Sequence, residues 1–180
     1  MYKRQVRVGS FGAEVVGQEF RSEMDSHADT CVVSSKTSWI VNDSGRPVKV
    51  HGYDERVSEK AHYRTVSGVV AYDDPTSGET YMLVVHQAIE IPSIKVNLLS
   101  PMQMRDNDLA VNEEPKHMAL NPTDDHHCIQ IGLEGSDEPL VIPLSIQGVT
   151  SYFPTRKPTQ QEWDNSELDM RLELSSESIE

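Results

Sequence analysis

The sequence predicts an all-β protein with one short helix, and three observations lead to this class. Short segments with the alternating apolar and polar residues of half-buried strands recur between turn-forming Gly, Pro, Asn and Asp residues. Residues 66–72 and 81–85 are rich in apolar and β-branched side chains and flank a turn at 73–78, which is typical of a β-hairpin. Residues 98–107 are the only segment with a convincing helical pattern.

The part of the chain before the hairpin is expected to form several short strands. The segments with strand-like patterns are residues 2–8, 18–24, 30–34, 38–41 and 48–50. The last two segments are separated by residues 42–47, Asn-Asp-Ser-Gly-Arg-Pro, which have the composition of a strong turn.

The part after the hairpin contains the helix and a further series of short strands. Ser100 suits the N-cap of the helix, and Pro101 suits its first helical position. Apolar pairs separated by glycines and prolines then predict strands around Ile129 and Ile131, Val141 and Leu144, and Ile146 and Val149. Residues 168–174 alternate strictly and predict one more strand.

Length and charge bound the organisation of the chain. A length of 180 residues predicts one domain, which we place at residues 1–156, followed by an acidic C-terminal tail at residues 157–180. The tail contains seven acidic and two basic residues and supplies −5 of the formal net charge of −13. This charge argues against a nucleic-acid partner, because phosphate contacts need clustered Lys and Arg.

Composition also predicts the compartment. Hydrophobic residues make up 37% of the chain and the mean hydropathy is −0.50. No apolar run approaches the roughly 20 residues that span a bilayer, so no membrane partner is expected. Two cysteines, Cys31 and Cys128, do not make a disulfide framework, which predicts a reduced, cytoplasmic setting.

The segment with the most promising chemistry is residues 23–33, Glu-Met-Asp-Ser-His-Ala-Asp-Thr-Cys-Val-Val. It places a turn with two carboxylates, Asp25 and Asp29, between two predicted strands. An Asp at the end of a strand, beside a Ser that bonds the backbone, can present its carboxylate to a bound water. Because Asp, Ser and Thr also fill ordinary turns, this loop alone does not separate a hydrolytic role from a structural one.

A second segment, Asn97-Leu98-Leu99-Ser100, follows about seventy residues later, after a short apolar segment that ends in a proline. The order and spacing of the two motifs resemble those of retropepsin-like aspartic proteases in copia-type LTR retrotransposon polyproteins, with His27 in place of a Gly of that family. Residues 71–75 and 149–156 are similar to one divergent branch of these polyproteins. The resemblance covers most of residues 1–156.

The resemblance implies a retropepsin-like acid protease fold, which is a small closed β-barrel with one short helix after Asn97-Leu98-Leu99. It also implies a homodimer in which two copies of Asp25 hold the catalytic water, because this chain has one such loop and not two. Residues 2–8 and 168–174 would interleave with the ends of the partner copy.

The resemblance further implies roles for the rest of the site. The active-site loop would comprise Ser26, His27, Ala28, Asp29 and Thr30 beside the catalytic Asp25. Ser26 would join the two loops across the dimer axis, while Ala28 and Asp29 would line the peptide groove. A flap would lie near Tyr53, Asp54 and Glu55.

The implied activity is that of an aspartic endopeptidase that processes a polyprotein. Its substrate would be a peptide or polyprotein, and no cofactor or metal is expected. The implied location is the cytoplasm, within retrotransposon particles.

Two departures from the family pattern leave other functions open. His27 replaces a Gly that lets substrate backbone approach closely. Val96 stands where many retropepsins have an Arg that pairs with the acid equivalent to Asp29, although Lys95 is adjacent. The first alternative is a catalytically inactive, protease-like dimerisation or peptide-binding module. The second is a metal-dependent hydrolase that uses Asp25, His27 and Asp29, which share one face if the loop is extended.

A second Asp-Ser-Gly sequence, Asp43-Ser44-Gly45, competes with Asp25 for the catalytic role. Asn42 precedes it where the protease pattern has an apolar residue, and Arg46-Pro47 follows where the pattern has Ala or Ser and then an acid. Turn chemistry accounts for this sequence without catalysis, so we assign the catalytic role to Asp25.

Overall fold

The structure is a computed structural model that describes residues 20–49 and 62–177. The predicted strand at residues 2–8 and the predicted flap at Tyr53, Asp54 and Glu55 lie outside the described residues. Within them strands dominate, which confirms the all-β class.

Twelve strands and two α-helices are present in the described residues. The strands are β1 Arg21–Met24, β2 Val32–Val33, β3 Trp39–Lys49, β4 His62–Asp73, β5 Thr80–Glu90, β6 Asn97–Leu99, β7 Ala110–Asn112, β8 Cys128–Ile131, β9 Leu140–Pro143, β10 Ser145–Gln147, β11 Thr150–Pro154 and β12 Arg171–Glu173. The helices are α1 Pro101–Asp106 and α2 Gln160–Asn165, and a 3-10 turn spans Leu168–Met170. None of the helices in the described residues has the length and apolar character needed to cross a membrane.

The strands form two sheets. The larger has the order β10-β11-β1-β6-β2-β5-β4-β3, with β12 added beside β5, and the smaller has the order β7-β8-β9. The path from β10 to β3 is open, because these end strands do not pair with each other. The closed barrel that the resemblance implies is therefore not found in the described part of the chain.

The predicted hairpin is confirmed as β4 and β5, which pair antiparallel from Arg64↔Glu90 to Asp73↔Thr80. Both faces of this hairpin are buried. The main core lies on one face and includes Val70 and Leu83, while a second cluster of Val69, Ala71, Met82 and Val84 lies on the other. Burial on two faces explains why these strands are almost continuously apolar instead of alternating.

The turn predicted at residues 42–47 is wrong, because these residues lie within the long strand β3. The local turn chemistry survives as an irregularity in the pairing of β3 with β4 between Asp43 and Pro47. Gly45 adopts a positive φ of 67°, and its N–H donates to Asp43 Oδ1 at 2.9 Å. The Asp43 carboxylate also accepts from the Arg64 guanidinium of β4. Cross-strand pairing therefore outweighs the tendency of this segment to turn.

The predicted helix is present as α1, with Ser100 as its N-cap and Pro101 at its start. It is shorter than the predicted range of 98–107, because Leu98 and Leu99 belong to strand β6. The second helix, α2, was not predicted. Its signal in the sequence is the capping box formed by Thr159 and Glu162, in which each side chain accepts from the backbone N–H of the other residue.

The acidic tail packs against the larger sheet, where its strand β12 pairs with β5. Trp163 of α2 contacts the second cluster, while Leu172 and Leu174 are buried in the main core. The strand predicted at residues 168–174 is shorter than expected, because its first three residues form the 3-10 turn. The strand β12 runs parallel to β5 of its own chain. An interleaved dimer, which stays a prediction, would have to displace or extend this pairing.

An ion-pair network attaches the start of this tail to the hairpin. The Arg156 guanidinium donates to both carboxylate oxygens of Asp73, at 2.7 and 2.9 Å, and pairs with Glu162 at 2.8 Å. The hydrogen bond from Arg156, together with that from the Thr159 backbone, lowers the pKa of Glu162 from 4.5 to about 2. The same guanidinium lowers the pKa of Asp73.

We expect Arg156→Met to lower the free energy of unfolding by about 1 kcal/mol at neutral pH, since the network is partly exposed and screened by solvent. Because Glu162 has a depressed pKa when folded, its stabilisation is complete above pH 4.5 and disappears as the pH falls towards 2. Urea unfolding from pH 7 to pH 2 should show a shallower loss of stability for the variant than for wild type. Arg46→Met is the control, because Arg46 is exposed and its guanidinium forms no hydrogen bond or ion pair with a described residue. An equal effect of the two substitutions would contradict the role of the network.

Candidate active site

The loop at residues 25–30 starts where β1 ends, next to β6. The strand β6 lies between β1 and β2, which follow each other in the chain. It pairs parallel to β1, with Met24 opposite Leu99, and antiparallel to β2, with Val32 opposite Leu98. Met24 and Leu99 are both buried. The structure thus brings together the two segments that the sequence motifs singled out, with β6 beside both ends of the loop.

Asp25 is fixed by three hydrogen bonds of the loop. Its backbone N–H donates to the carbonyl of Leu99 at 2.9 Å, and its own carbonyl accepts from the N–H of Ala28 at 3.1 Å. The Asp25 Oδ1 atom accepts from the N–H of His27, also at 3.1 Å. The side chain is half-buried, and Oδ2 has no hydrogen-bond partner among the described residues. The loop therefore presents one carboxylate oxygen at a defined position, where it can accept from a water.

The helix α1 holds the far end of the loop through its N-cap. The Ser100 hydroxyl donates to the carbonyl of Ala28 at 2.6 Å and accepts from the N–H of Gln103, which caps the helix. The Gln103 Oε1 atom accepts from the N–H of Cys31 at 2.8 Å. Burial raises the pKa of the Cys31 thiol to about 11, so this thiol is protonated at neutral pH and is a packing group rather than a nucleophile.

Asn97, which the sequence motif singled out, is a structural centre of this region, and the sequence analysis did not predict this role. Its side chain is 1% exposed. The Oδ1 atom accepts from the N–H of Ser34 at 3.3 Å and from the hydroxyls of Thr37 and Ser38 at 2.7 and 2.8 Å. Its Nδ2 atom lies 3.5 Å from the Ser22 hydroxyl of β1. Asn97 therefore connects β6 with β1 and with the turn after β2. The strands β1 and β2 are the two that flank the loop.

The remaining loop residues differ in their exposure to solvent. Ser26, His27 and Asp29 are exposed, while Ala28 and Thr30 are half-buried. The backbone of His27 is outside the left-handed region, so its conformation does not require the Gly of the family pattern.

The structure does not pair Lys95 with Asp29. Lys95 is exposed, and no ion pair between the two is present in the described part of the chain. Lys95 therefore does not replace the Arg that many retropepsins pair with the acid equivalent to Asp29.

The metal-site alternative finds no support in the geometry. No group of three or more His, Cys, Asp or Glu side chains in the described residues could hold a metal ion, and this includes Asp25, His27 and Asp29. The reason is that the loop is folded into a turn, with Asp25 Oδ1 bonded to the N–H of His27, whereas the alternative required an extended loop.

Asp43 lies apart from the loop and has a different environment. Its hydrogen bond from the N–H of Gly45, followed by the influence of Arg64, lowers the pKa of its carboxyl. The carboxylate is therefore engaged by a cation and a backbone donor on the outer strand β3, and Ser44 donates to the carbonyl of Thr65. These contacts give the Asp43-Ser44-Gly45 sequence a structural role.

Comparison of the chain with models of protein families, with curated proteins and with solved structures finds no match. The retropepsin-like and copia-type character of the chain therefore stays a prediction of its sequence motifs. Function has to be argued from the arrangement of Asp25 and the groups that hold it.

Proposed function

We propose that this protein is an aspartic endopeptidase that acts as a homodimer, with a water held between the Asp25 carboxylates of two copies. Its substrate is an extended peptide segment, such as a site in a polyprotein. The proposal rests on the sequence motifs described above and on the environment of Asp25.

One observation carries the proposal. Asp25 is half-buried, its backbone is anchored to Leu99, and one of its carboxylate oxygens is engaged by the N–H of His27 while the other has no described partner. A carboxylate held in this way is positioned for general base catalysis without being neutralised by a cation. Asp43, which pairs with Arg64, lacks this property.

In the mechanism, two neighbouring Asp25 carboxyl groups share one proton, since two like charges so close together cannot both ionise. The ionised group takes a proton from the water, whose oxygen attacks the carbonyl carbon of the scissile peptide. The protonated group donates its proton to the carbonyl oxygen. Collapse of the tetrahedral intermediate then breaks the C–N bond. The carboxyl group that took the proton from the water donates it to the leaving nitrogen, and the other carboxylate takes a proton from a hydroxyl of the intermediate, which restores the shared proton.

The second candidate function is a protease-like dimerisation or peptide-binding module without activity. The exposed side chain of His27 favours it, because this side chain occupies space beside Asp25 where the family pattern has Gly. Under this alternative the loop still binds peptide, but no Asp25-dependent hydrolysis is measured.

Mixing wild type with the Asp25→Asn variant tests the shared site. If each active unit needs two Asp25 residues, adding an equal amount of variant to a fixed amount of wild type should lower the hydrolysis rate to about half, because the copies redistribute into mixed dimers. A monomeric enzyme would keep its full rate, and this outcome would exclude the homodimeric mechanism. Sedimentation of the same samples gives the oligomeric state directly.

The pH profile and inhibitors separate the acid–base mechanism from metal chemistry. Hydrolysis should be fastest in acid, where a close carboxylate pair holds one proton, and statine-type inhibitors should abolish it. Chelators should have no effect. Loss of activity with a chelator and its recovery with zinc would instead favour a metal-dependent hydrolase.

A further inference from the structure

Gln103 is the one α1 side chain, among the described residues, that bonds both to the end of the candidate catalytic loop and to β5. Its Oε1 atom accepts from the N–H of Cys31 at 2.8 Å, and its Nε2 atom donates to the carbonyl of His86 at 3.3 Å. Both ends of the amide are therefore used, and the side chain is half-buried. The contact with Cys31 lies directly after the last loop residue, Thr30.

The two ends of the loop are anchored by different groups. At the start, the N–H of Asp25 is held by the carbonyl of Leu99, which does not involve Gln103. At the end, the N–H of Cys31 is held by Gln103, and the carbonyl of Cys31 accepts from Ile89 of β5 at 2.9 Å. Loss of the Gln103 amide would consequently shift the end of the loop while leaving the position of Asp25 largely unchanged.

Gln103 also lies in the wall of a groove at the end of the loop. The groove has a volume of about 790 Å³, and its lining includes Thr30, Gln87, Ile89 and Gln103. Gln87, on the β5 side, adopts a positive φ of 54° where the pairing of β4 and β5 is irregular. Gln103 therefore adds a second connection between the end of the loop and β5, beside the bond from Ile89 to the carbonyl of Cys31, on the side that faces the groove.

We propose that Gln103 is a positioning residue, which fixes the end of the candidate catalytic loop against β5 so that Thr30 can bind an extended peptide in this groove. This inference rests on the proposed endopeptidase function. Gln103 does not contact the reacting atoms in this arrangement. Its effect is on peptide binding rather than on the chemical step at Asp25.

Steady-state kinetics of the full chain test this assignment. In Gln103→Met the side chain keeps nearly the same shape but loses both hydrogen bonds. We expect KM to rise roughly tenfold, which corresponds to the net free energy of about one hydrogen bond. The kcat of this variant should stay within about twofold of wild type. Ser175→Ala is the matched control, because the Ser175 hydroxyl also donates to the carbonyl of His86, at 2.8 Å, but does not touch the loop. Its KM should equal that of wild type.

A purely structural role for Gln103 would give a different result. General destabilisation lowers the fraction of active enzyme, so the kcat of Gln103→Met would fall and its KM would stay that of wild type. That pattern would overturn the inference.

Amide hydrogen exchange provides a readout that does not need activity. In Gln103→Met the N–H of Cys31 should exchange roughly tenfold faster than in wild type, while the N–H of Asp25 should be unaffected. If wild type shows no Asp25-dependent hydrolysis, the proposed function fails and the exchange data alone decide whether Gln103 fixes the end of the loop. Equal exchange at Cys31 in the Gln103→Met and Ser175→Ala variants would refute it.

Discussion

Asp25→Asn should abolish peptide hydrolysis, lowering kcat by a factor on the order of 10³ or more, while the melting temperature stays that of wild type. The loss is expected because an amide cannot accept a proton from the water or share one with a second carboxylate. The fold should survive, because Asn has the shape of Asp and its Oδ1 atom can still accept from the N–H of His27. Initial rates with a peptide substrate and thermal unfolding of the two proteins measure both effects.

Asp43→Asn is the control for this experiment. It makes the same chemical change in the competing Asp-Ser-Gly sequence, where the carboxylate pairs with Arg64 on the exposed outer part of β3. Its hydrolysis rate should equal that of wild type. If Asp43→Asn were inactive and Asp25→Asn active, the catalytic assignment would be wrong and the loop at residues 25–30 would be structural.

Local sequence signals predicted the elements whose stability is itself largely local. The hairpin of β4 and β5 follows from two apolar runs around a turn, and α1 follows from a serine N-cap followed by proline. The sequence motifs singled out both the Asp25 loop and Asn97-Leu98-Leu99, and the structure places the two next to each other. The hydrogen bond from Asp25 to Leu99 now gives that proximity a definite geometry.

The prediction of a turn at residues 42–47 failed because it considered only neighbours in sequence. Asn, Asp, Ser, Gly and Pro each favour turns, yet β4 supplies Arg64 for Asp43 and the carbonyl of Thr65 for Ser44. One irregularity in the ladder accommodates the positive φ of Gly45, so the strand continues.

The packing of the C-terminal tail against the rest of the chain was not predicted, for a related reason. Its net charge of −5 suggested a segment separate from the domain, but three of its apolar side chains pack against the hairpin and the core. Trp163 packs on one side of the hairpin, while Leu172 and Leu174 enter the core on the other. The partner of β12 is β5, about ninety residues earlier, and such a parallel pairing leaves no local signal in the sequence.

Asn97 could be located by its motif, but its role could not be predicted. It is a polar residue in the apolar segment Val96–Leu99, and its partners Ser34, Thr37 and Ser38 are 63, 60 and 59 residues away in the chain. Only the packing of β6 between β1 and β2 brings these donors to one amide oxygen. The arrangement suggests that Asn97 contributes more to stability than any exposed polar residue near the loop.

Asn97→Leu should therefore lower the free energy of unfolding by about 3 kcal/mol, because an apolar side chain of similar size removes the acceptor of three buried donors, of which only the Thr37 hydroxyl has a second acceptor, the carbonyl of Ser34. Urea unfolding followed by the fluorescence of Trp39 and Trp163 measures this loss. The control is Asn107→Ala, which removes a single exposed hydrogen bond from the side-chain amide to the carbonyl of Glu173 and should cost less than about 1 kcal/mol.

Because Asn97 joins the strands on both sides of the Asp25 loop, hydrolysis by the remaining folded fraction of Asn97→Leu should also be slower than that of wild type. If the two variants were equally stable, the hydrogen bonds to Asn97 would not be what holds β1, β2 and β6 together, and the rigid support that we assign to Asp25 would have to come from the packing of Met24 and Leu99 alone.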